Sequence, residues 1–428
     1  MNNLTSRFEH SAFSIFIEKL DDFGFINKQF NLFTLLRESV SFETTFVLFL
    51  FAGQYKDFPF FSAIPIDITL LTLIISLLTG FMVLLREREL TFHKFYFIYL
   101  YLLFLTYILA SWGWFGDSLR ILKLQKFVVF NSWSLLGAIL VINTPNRIIR
   151  FLIIATIFAS LLDIEALNVL VTSTNYSFAT SWDDSISYNT LGRASSVASF
   201  FTLTLFIQAK TKLSKFIFLG ITAFYILGVF ASTGRGSILC WVASLGLFLI
   251  GIKKCYPSSL TLKSFFQIAI ILLLLALLLY AVNQQYHLLD RVTYRFRSLS
   301  EHVDAGDDDR LLMYQAAARL FMKRPFWGYG WDTWSLIYSP TYRHPHNIFI
   351  EVGVELGLVG IFIFLALISY PFLHIKLAIW FSEPLGVLLV ISFIYYLLAA
   401  QTSGDLTDNR VLFSYLSLLV SYASIKKA

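Results

Sequence analysis

The class of this protein is set by residues 264–282, SFFQIAIILLLLALLLYAV, which contain no charged side chain. A helix that crosses about 30 Å of hydrocarbon needs about 20 apolar residues, so this segment predicts a membrane span. The composition extends the conclusion to the whole chain. Of the 428 residues, 57% are hydrophobic and 14% are charged, whereas roughly 25% are charged in a soluble domain. We therefore exclude a water-soluble globule.

Apolar runs of this kind recur along the chain and predict about twelve spans. They lie near residues 38–55, 68–85, 95–114, 127–142, 151–168, 194–208, 216–232, 237–252, 264–282, 350–373, 384–400 and 411–424. The predicted fold class is an all-α polytopic integral membrane protein with about 12 transmembrane helices and one large extracytoplasmic loop that contains short helices. The predicted segments are an amphipathic N-terminal region at 1–37, spans one to nine within 38–283, the large loop at 284–345, and spans ten to twelve within 346–428.

Lysine and arginine cluster in alternate short loops, and this sets the expected orientation. The basic loops include 86–94, 145–150, 210–215 and 253–263, and basic short loops face the cytoplasm in membrane proteins. An even number of spans then places both termini in the cytoplasm and the loop at 284–345 outside. We also expect no cleavable signal peptide. Because these loops account for the net charge of +6, we expect no nucleic-acid partner.

Three basic residues depart from this pattern, because Arg120, Lys123 and Lys126 fall on the outer side. Their three-residue spacing would line one side of a short helix at the outer interface. Two interpretations stay open. The side chains either reach lipid phosphates from an ordinary interfacial helix, or they form a docking strip for an anionic lipid head.

The loop at 284–345 is the largest polar segment, so we expect function to concentrate there. A helix is predicted over 311–322, after an acidic run and before Pro325. RPFWGYGWDTW, residues 324–334, follows it. Gly328 and Gly330 do not make a dinucleotide fingerprint, since no strand precedes them. The segment is typical of a membrane-interface turn or of an aromatic platform for sugar rings.

Two histidines flank a proline at the end of this loop. His344 and His346 have the spacing of a metal-binding pair, but no other His, Cys or carboxylate cluster lies nearby at ligand spacing. We therefore predict that no metal binds. Because Pro345 fixes the backbone between them, we expect the two imidazoles to point in different directions.

A longer pattern runs through HPHNIFIEVGVELGLVG, residues 344–360. His346 with Asn347, then nine residues, Gly357, two residues and Gly360 fit the form H-[NSQ]-x9-G-x-x-[GTY]. The chain thereby resembles the bacterial O-antigen ligase family, within the O-antigen ligase and polymerase superfamily. Arg235 in STGRGS, Arg310 in DDDRLLMYQAAARL and the RPFWGYGWDTW turn follow the order of the family's landmarks, over about residues 190–365. Gly234 stands where the family more often has serine.

The resemblance implies an enzyme, a metal-independent inverting glycosyltransferase of lipopolysaccharide biosynthesis at the outer face of the bacterial inner membrane. Its donor would be a glycan on undecaprenyl diphosphate, and its acceptor would be a hydroxyl of the lipid A core or of another glycan. No cofactor is implied, and the other partners would be membrane lipids.

The same resemblance assigns roles to particular residues. Arg235 and Arg310 would bind the donor diphosphate, which suits the fork geometry of arginine, with Arg193 as a third cation. His346 would be the general base. Because an unperturbed imidazole has a pKa near 6.5 and loses its basic nitrogen on protonation, transfer activity should fall below roughly pH 6–7. The remaining candidates for substrate binding are Arg120, Lys123 and Asn347.

Three alternatives accompany this prediction. The nearest is an O-antigen or exopolysaccharide polymerase of the same superfamily, which would share the donor chemistry. A protein O-oligosaccharyltransferase would be expected to carry a further outer domain after the last spans. A transporter or flippase is disfavoured, since such proteins place ionisable residues at mid-membrane and break their helices, whereas the predicted spans are expected to lack buried acidic pairs.

Overall fold

A computed structural model describes residues 41–55, 65–86, 91–115, 121–172, 188–256, 277–304 and 309–427. Every regular element in these ranges is helical. The predicted N-terminal region at 1–37, Arg120 and residues 264–276 of the predicted ninth span lie outside the described residues.

The helices are numbered in chain order. They are α1 (Phe42–Tyr55), α2 (Ile68–Leu84), α3 (Phe92–Trp112), α4 (Ile121–Val141), α5 (Pro145–Thr172), α6 (Tyr188–Gln208), α7 (Lys212–Ala231), α8 (Arg235–Cys255), α9 (Leu288–Asp304), α10 (Asp309–Lys323), α11 (Ile348–His374), α12 (Pro384–Ala399) and α13 (Arg410–Lys427). Residues 277–286 are also helical, and single turns occur at Trp334–Ile337 and Leu377–Trp380.

Several of these helices have the length and composition of membrane spans. Within the described ranges, six are long and apolar enough to cross a bilayer, namely α3, α4, α6, α7, α8 and α11. Two shorter apolar helices, α2 and α12, accompany them. The chain is therefore a membrane protein that is all-helical in the ranges described above, and the total of about twelve spans stays a prediction.

The helices divide into two compact units. The first contains α1, α2, α5, α6, α7 and α8, with residues 277–295 and 378–392. Glu43 in α1 is fully buried and pairs with Arg147 in α5 at 2.9 Å. Asp163 in α5 accepts a hydrogen bond from the Ser195 hydroxyl at 2.5 Å. Both contacts offset part of the cost of burying a carboxylate.

The second unit contains α3, α4, α10, α11 and α13, with residues 296–304 and 393–399. Phe127 lies at its centre, fully buried, with its ring 5.2 Å from Trp331 and 5.8 Å from Phe413. α4 widens to a π-helical turn at Phe127–Asn131, and the Asn131 amide there donates to the Leu406 carbonyl at 3.1 Å. This hydrogen bond ties α4 to the loop at residues 400–409, between α12 and α13, which we call the 400–409 loop.

Candidate active site

α11 begins at a capped end beside the two histidines. Oδ1 of Asn347 accepts hydrogen bonds from the backbone N–H groups of Phe349 at 3.0 Å and Ile350 at 3.1 Å. Such a cap satisfies donors that the first helical turn cannot pair internally. Asn347 thus fixes the direction in which α11 leaves His346.

α11 is broken at Gly357, ten residues after its cap. Gly357 has a φ of 66°, which an L side chain rarely adopts. Around this break the backbone pairs with residues 325–330 instead of with its own helix. The hydrogen bonds run from Tyr329 N to Val354 O (3.1 Å), Gly330 N to Glu355 O (2.7 Å), Leu358 N to Pro325 O (2.7 Å) and Val359 N to Phe326 O (3.2 Å).

Two glycines allow these backbones to approach each other. A Cβ atom on Gly357 would collide with the carbonyl of Phe326, and one on Gly328 would collide with the carbonyl of Glu355. Gly328 also has a positive φ of 72°. The RPFWGYGWDTW segment is therefore a tight turn that docks on the broken helix, as its glycines require.

A buried ion cluster lies between the cap and the break of α11. The ammonium of Lys123, on α4, is 2.7 Å from a carboxylate oxygen of Glu351 and 3.1 Å from one of Glu355. Both glutamates have side chains that are only 1% exposed. The prediction that the spans lack buried acidic pairs is thus wrong, since these carboxylates lie one helical turn apart on α11.

The two glutamates also hold the surrounding loops. Glu351 accepts a hydrogen bond from the backbone N–H of Leu406 at 2.9 Å. Glu355 accepts from the N–H groups of Asp332 at 2.9 Å and Trp334 at 3.2 Å. Each carboxylate therefore has both a cation and backbone donors, which is the arrangement that makes a buried charge tolerable.

This environment corrects the picture of Lys123 as part of an exposed strip. Its side chain is only 10% exposed and lies over the Trp331 ring at 4.7 Å. A charge neutralised by two carboxylates attracts an anionic lipid head weakly. Lys126, at the expected three-residue spacing, is exposed. We therefore assign Lys123 to the ion cluster and leave it out of the anion-binding residues proposed below.

His344 and His346 contact each other directly. Nε2 of His344 lies 3.1 Å from Nδ1 of His346, and the ring centroids are 4.4 Å apart. The prediction that the imidazoles point in different directions is therefore wrong. His346 has a φ of 55°, in the left-handed region, and this turns the chain so that the second ring returns toward the first.

The surroundings of the pair keep both rings neutral near pH 7. Burial lowers the pKa of His346 to about 4, with further contributions from His344 and Arg310. Burial also lowers the pKa of His344, although Asp405 and Asp408 on the 400–409 loop oppose it. A neutral imidazole has one nitrogen with a free lone pair, so His346 is able to accept a proton at neutral pH.

The pKa values of the two carboxylates of the 400–409 loop are shifted in opposite directions. Burial alone would raise the pKa of Asp405, but Lys123 and the Thr407 hydroxyl outweigh it, and the pKa is lowered. Burial and Asp405 raise the pKa of Asp408. Asp405 is consequently the carboxylate that stays ionised beside His344 over the wider pH range.

The structure brings together some of the residues that the sequence indicated. Arg310, the second residue of α10, and His346 lie in one unit, close enough for the guanidinium to act on the imidazole. Arg193 and Arg235 lie in the other unit, where Arg193 is 7% exposed and Arg235 donates to the Arg295 carbonyl at 2.9 Å. Arg120 lies outside the described residues.

Sequence reasoning missed Glu351, Glu355 and Asp405. The two glutamates carry a usable signal, because two acidic residues four apart in an apolar span must find a cation. Nothing in the sequence indicates that the cation is Lys123, which lies 228 positions before Glu351. Among the described residues, no group of three or more His, Cys, Asp or Glu is arranged to hold a metal, and a metal-independent reaction stays a prediction.

One comparison with known proteins bears on this arrangement. Residues 218–365 match the family model described as O-Antigen ligase. The match runs from α7 into α11 and includes Arg235, Arg310 and His346, so the resemblance drawn from the sequence motifs is confirmed. A search of curated proteins finds no significant match.

Proposed function

Because residues 218–365 match the O-Antigen ligase family model, we propose that this membrane protein transfers a glycan from undecaprenyl diphosphate to an acceptor hydroxyl. The acceptor is a sugar of the lipid A core, and the reaction takes place at the outer face of the bacterial inner membrane. The observation that carries the proposal is His346 inside the matched segment, in contact with His344 at 3.1 Å and close enough to Arg310 for the guanidinium to lower its pKa.

The chemistry needs one base and one anion-stabilising group. His346 accepts the proton of the acceptor hydroxyl, which attacks the anomeric carbon of the donor sugar from the face opposite the diphosphate. Attack from that face inverts the anomeric configuration. Arg310 stabilises the negative charge that develops on the departing diphosphate, because a guanidinium bonds two phosphate oxygens at once and stays charged.

Arg193 and Arg235 are proposed as further donor-binding residues. Arg193 lies in the second turn of α6 and Arg235 is the first residue of α8, and serines flank both arginines in the sequence. A diphosphate carries more than one negative charge, so more than one arginine suits it, and arginine provides this charge without a metal.

The test uses purified protein with an undecaprenyl diphosphate-linked glycan, in the presence or absence of lipid A core. Glycan on the lipid A core is the expected product. Growth of longer carrier-linked chains without lipid A core would instead identify a polymerase. No glycan transfer under either condition would contradict the proposal.

Variants of α10 connect the assay to the structure. Arg310→Lys keeps the charge but loses the fork, so transfer should be impaired, and Arg310→Ala should nearly abolish it. Arg319→Lys is the matched control, since Arg319 is exposed on the same helix. Full activity of Arg310→Ala, at a normal protein level, would remove Arg310 from the site.

A further inference from the structure

The proposed reaction uses His346 but leaves its partner His344 without a role. Nε2 of His344 and Nδ1 of His346 are 3.1 Å apart, and the ring planes meet at 77°. A hydrogen bond between two neutral imidazoles needs a proton on one of these nitrogens and a lone pair on the other. The contact therefore couples the tautomers of the two rings.

The function proposed for His346 selects one of the two possible tautomers. If Nε2 of His346 takes the proton of the acceptor hydroxyl, that nitrogen must be unprotonated beforehand. The ring proton of neutral His346 then lies on Nδ1 and is donated to Nε2 of His344. The ring proton of His344 in turn lies on its Nδ1.

Charged groups from several elements influence the pKa values of His344 and His346. These groups are Lys123 on α4, Arg310 on α10, Glu355 on α11, and Asp405 and Asp408 on the 400–409 loop. Arg310 disfavours a positive charge on His346. Asp405, Asp408 and Glu355 favour one on His344, and Lys123 opposes it. The carboxylates thus act mainly on the ring that does not face the acceptor.

The loop that supplies two of these carboxylates is held in place. Its first residue, Ala400, accepts a hydrogen bond from the Ile348 N–H at 3.3 Å, and Leu406 donates to the buried Glu351 at 2.9 Å. Asp405 also accepts hydrogen bonds from the Thr407 hydroxyl at 2.6 Å and the Asp408 N–H at 2.8 Å. The charges that face His344 therefore have fixed positions relative to the start of α11.

From this geometry we infer that His344 is a positioning residue for the transfer reaction, which holds His346 in its base-competent tautomer and takes up the Nδ1 proton as His346 is protonated at Nε2. The inference rests on the proposed function, because it takes His346 as the base. It adds a second histidine and the 400–409 loop to the residues on which proton removal depends.

The proton movements balance over one turnover. The acceptor O–H bond breaks, its proton goes to Nε2 of His346, and the oxygen bonds to the anomeric carbon while the bond to the diphosphate oxygen breaks with its electron pair. The Nδ1 proton of His346 moves to Nε2 of His344, so the positive charge comes to lie beside Asp405. After the product is released, His346 gives its Nε2 proton to water, and Nε2 of His344 returns its proton to Nδ1 of His346.

Two substitutions of His344 distinguish its role as a hydrogen-bond acceptor from its role in taking up a proton. His344→Gln keeps a carbonyl oxygen that accepts the His346 Nδ1–H but cannot take up a proton, and His344→Ala keeps neither function. We expect His344→Ala to lower kcat by about 10- to 100-fold with little change in KM, the range found for residues that orient a metal-binding histidine through a hydrogen bond. His344→Gln should recover part of this loss.

The matched control is His374→Gln. His374 belongs to another histidine pair, with its ring 5.1 Å from that of His93, and it lies at the opposite end of α11. Because this pair has no part in the proposed reaction, kcat and its pH profile should not change.

A second measurement needs no substrate. Deuterium exchange at the imidazole C2–H, followed by mass spectrometry over a pH series, reports the protonation of His346 in wild type and in both variants. His344→Gln should raise the midpoint for His346, since a neighbouring ring that competes for positive charge is gone. His374→Gln should leave it unchanged.

The two measurements distinguish the possible failures. A shifted midpoint in His344→Gln supports the coupled pair even if wild type transfers no glycan, in which case the proposed function is what fails. An unchanged midpoint in His344→Gln, together with unchanged kcat in both His344 variants, would overturn the inference. Thermal melting close to that of wild type identifies His344→Gln as folded.

Discussion

His346 combines an unfavourable backbone conformation with a shielded side chain. A left-handed φ in a residue other than glycine costs about 1–3 kcal/mol and persists only where the surroundings enforce it. Here the surroundings are Pro345 before it, which is buried, and the cap of Asn347 after it, while the ring is held by His344. Strain at a residue that also has a shifted pKa is typical of an active site.

The lowered pKa of His346 changes the pH dependence expected from the sequence. The base must be neutral, and a pKa lowered to about 4 keeps it neutral to lower pH than an ordinary histidine. We therefore expect the acid limb of kcat/KM near pH 4, not at pH 6–7, in a pH profile of purified enzyme. His346→Ala should lower transfer by about 10² to 10⁴-fold and remove this limb. Wild-type turnover in His346→Ala, or a limb that stays in place, would reject the role of base.

Lys123 and Lys126 offer a direct comparison between a structural and an interfacial lysine. Lys123→Ala leaves two buried carboxylates without their cation, which costs about 3–5 kcal/mol, whereas Lys126 is exposed and its removal should cost little. Thermal melting of purified protein should therefore fall clearly for Lys123→Ala only. If both variants had the same melting temperature and Lys123→Ala bound the donor more weakly, Lys123 would instead be a substrate-binding residue.

The break in α11 allows the turn at 325–330 to dock on this helix. Gly357→Ala places a methyl group against the Phe326 carbonyl at a φ of 66°, so we expect marked destabilisation. Gly246→Ala in α8 is the control, because its Cβ would have open space and alanine is the better helix former. Melting temperatures should fall for the first variant and stay or rise for the second. A Gly357→Ala protein as stable as wild type would show that the turn does not depend on this contact.

The helices also show which features of the fold could be predicted from the sequence. The helix predicted at 311–322 is present at Asp309–Lys323, and the span predicted at 350–373 is present within α11, because local composition and Pro325 determine both. The break at Gly357 was not predicted, since its hydrogen-bond partners lie about thirty residues earlier. The pairing of Lys123 with Glu351 was missed for the same reason, as it depends on tertiary contacts that no local pattern encodes.

For the whole molecule, the matched family segment is not a self-sufficient piece. It supplies α8 and most of α7 to one unit, and α10 with most of α11 to the other. Lys123, on α4, and the 400–409 loop lie outside residues 218–365, yet they hold Glu351 and act on His344. A fragment limited to the matched residues would therefore leave buried carboxylates unpaired, and we expect the proposed activity to require the flanking helices.

The orientation of the chain in the membrane is predicted from the alternation of basic loops. In a background where the buried Cys240 and Cys255 are replaced by serine, single cysteines are introduced at Thr341 and Lys212, both exposed positions. Thr341 precedes the proposed base and should lie outside, whereas Lys212 begins α7 within the basic segment 210–215 and should face the cytoplasm. A membrane-impermeant maleimide should thus label Thr341→Cys in intact cells and Lys212→Cys only after lysis. Labelling of Lys212→Cys alone in intact cells would show that the topology is the inverse of the predicted one. His346 would then face the cytoplasm, where no undecaprenyl diphosphate-linked glycan of the outer face can reach it, and the proposed reaction would be excluded.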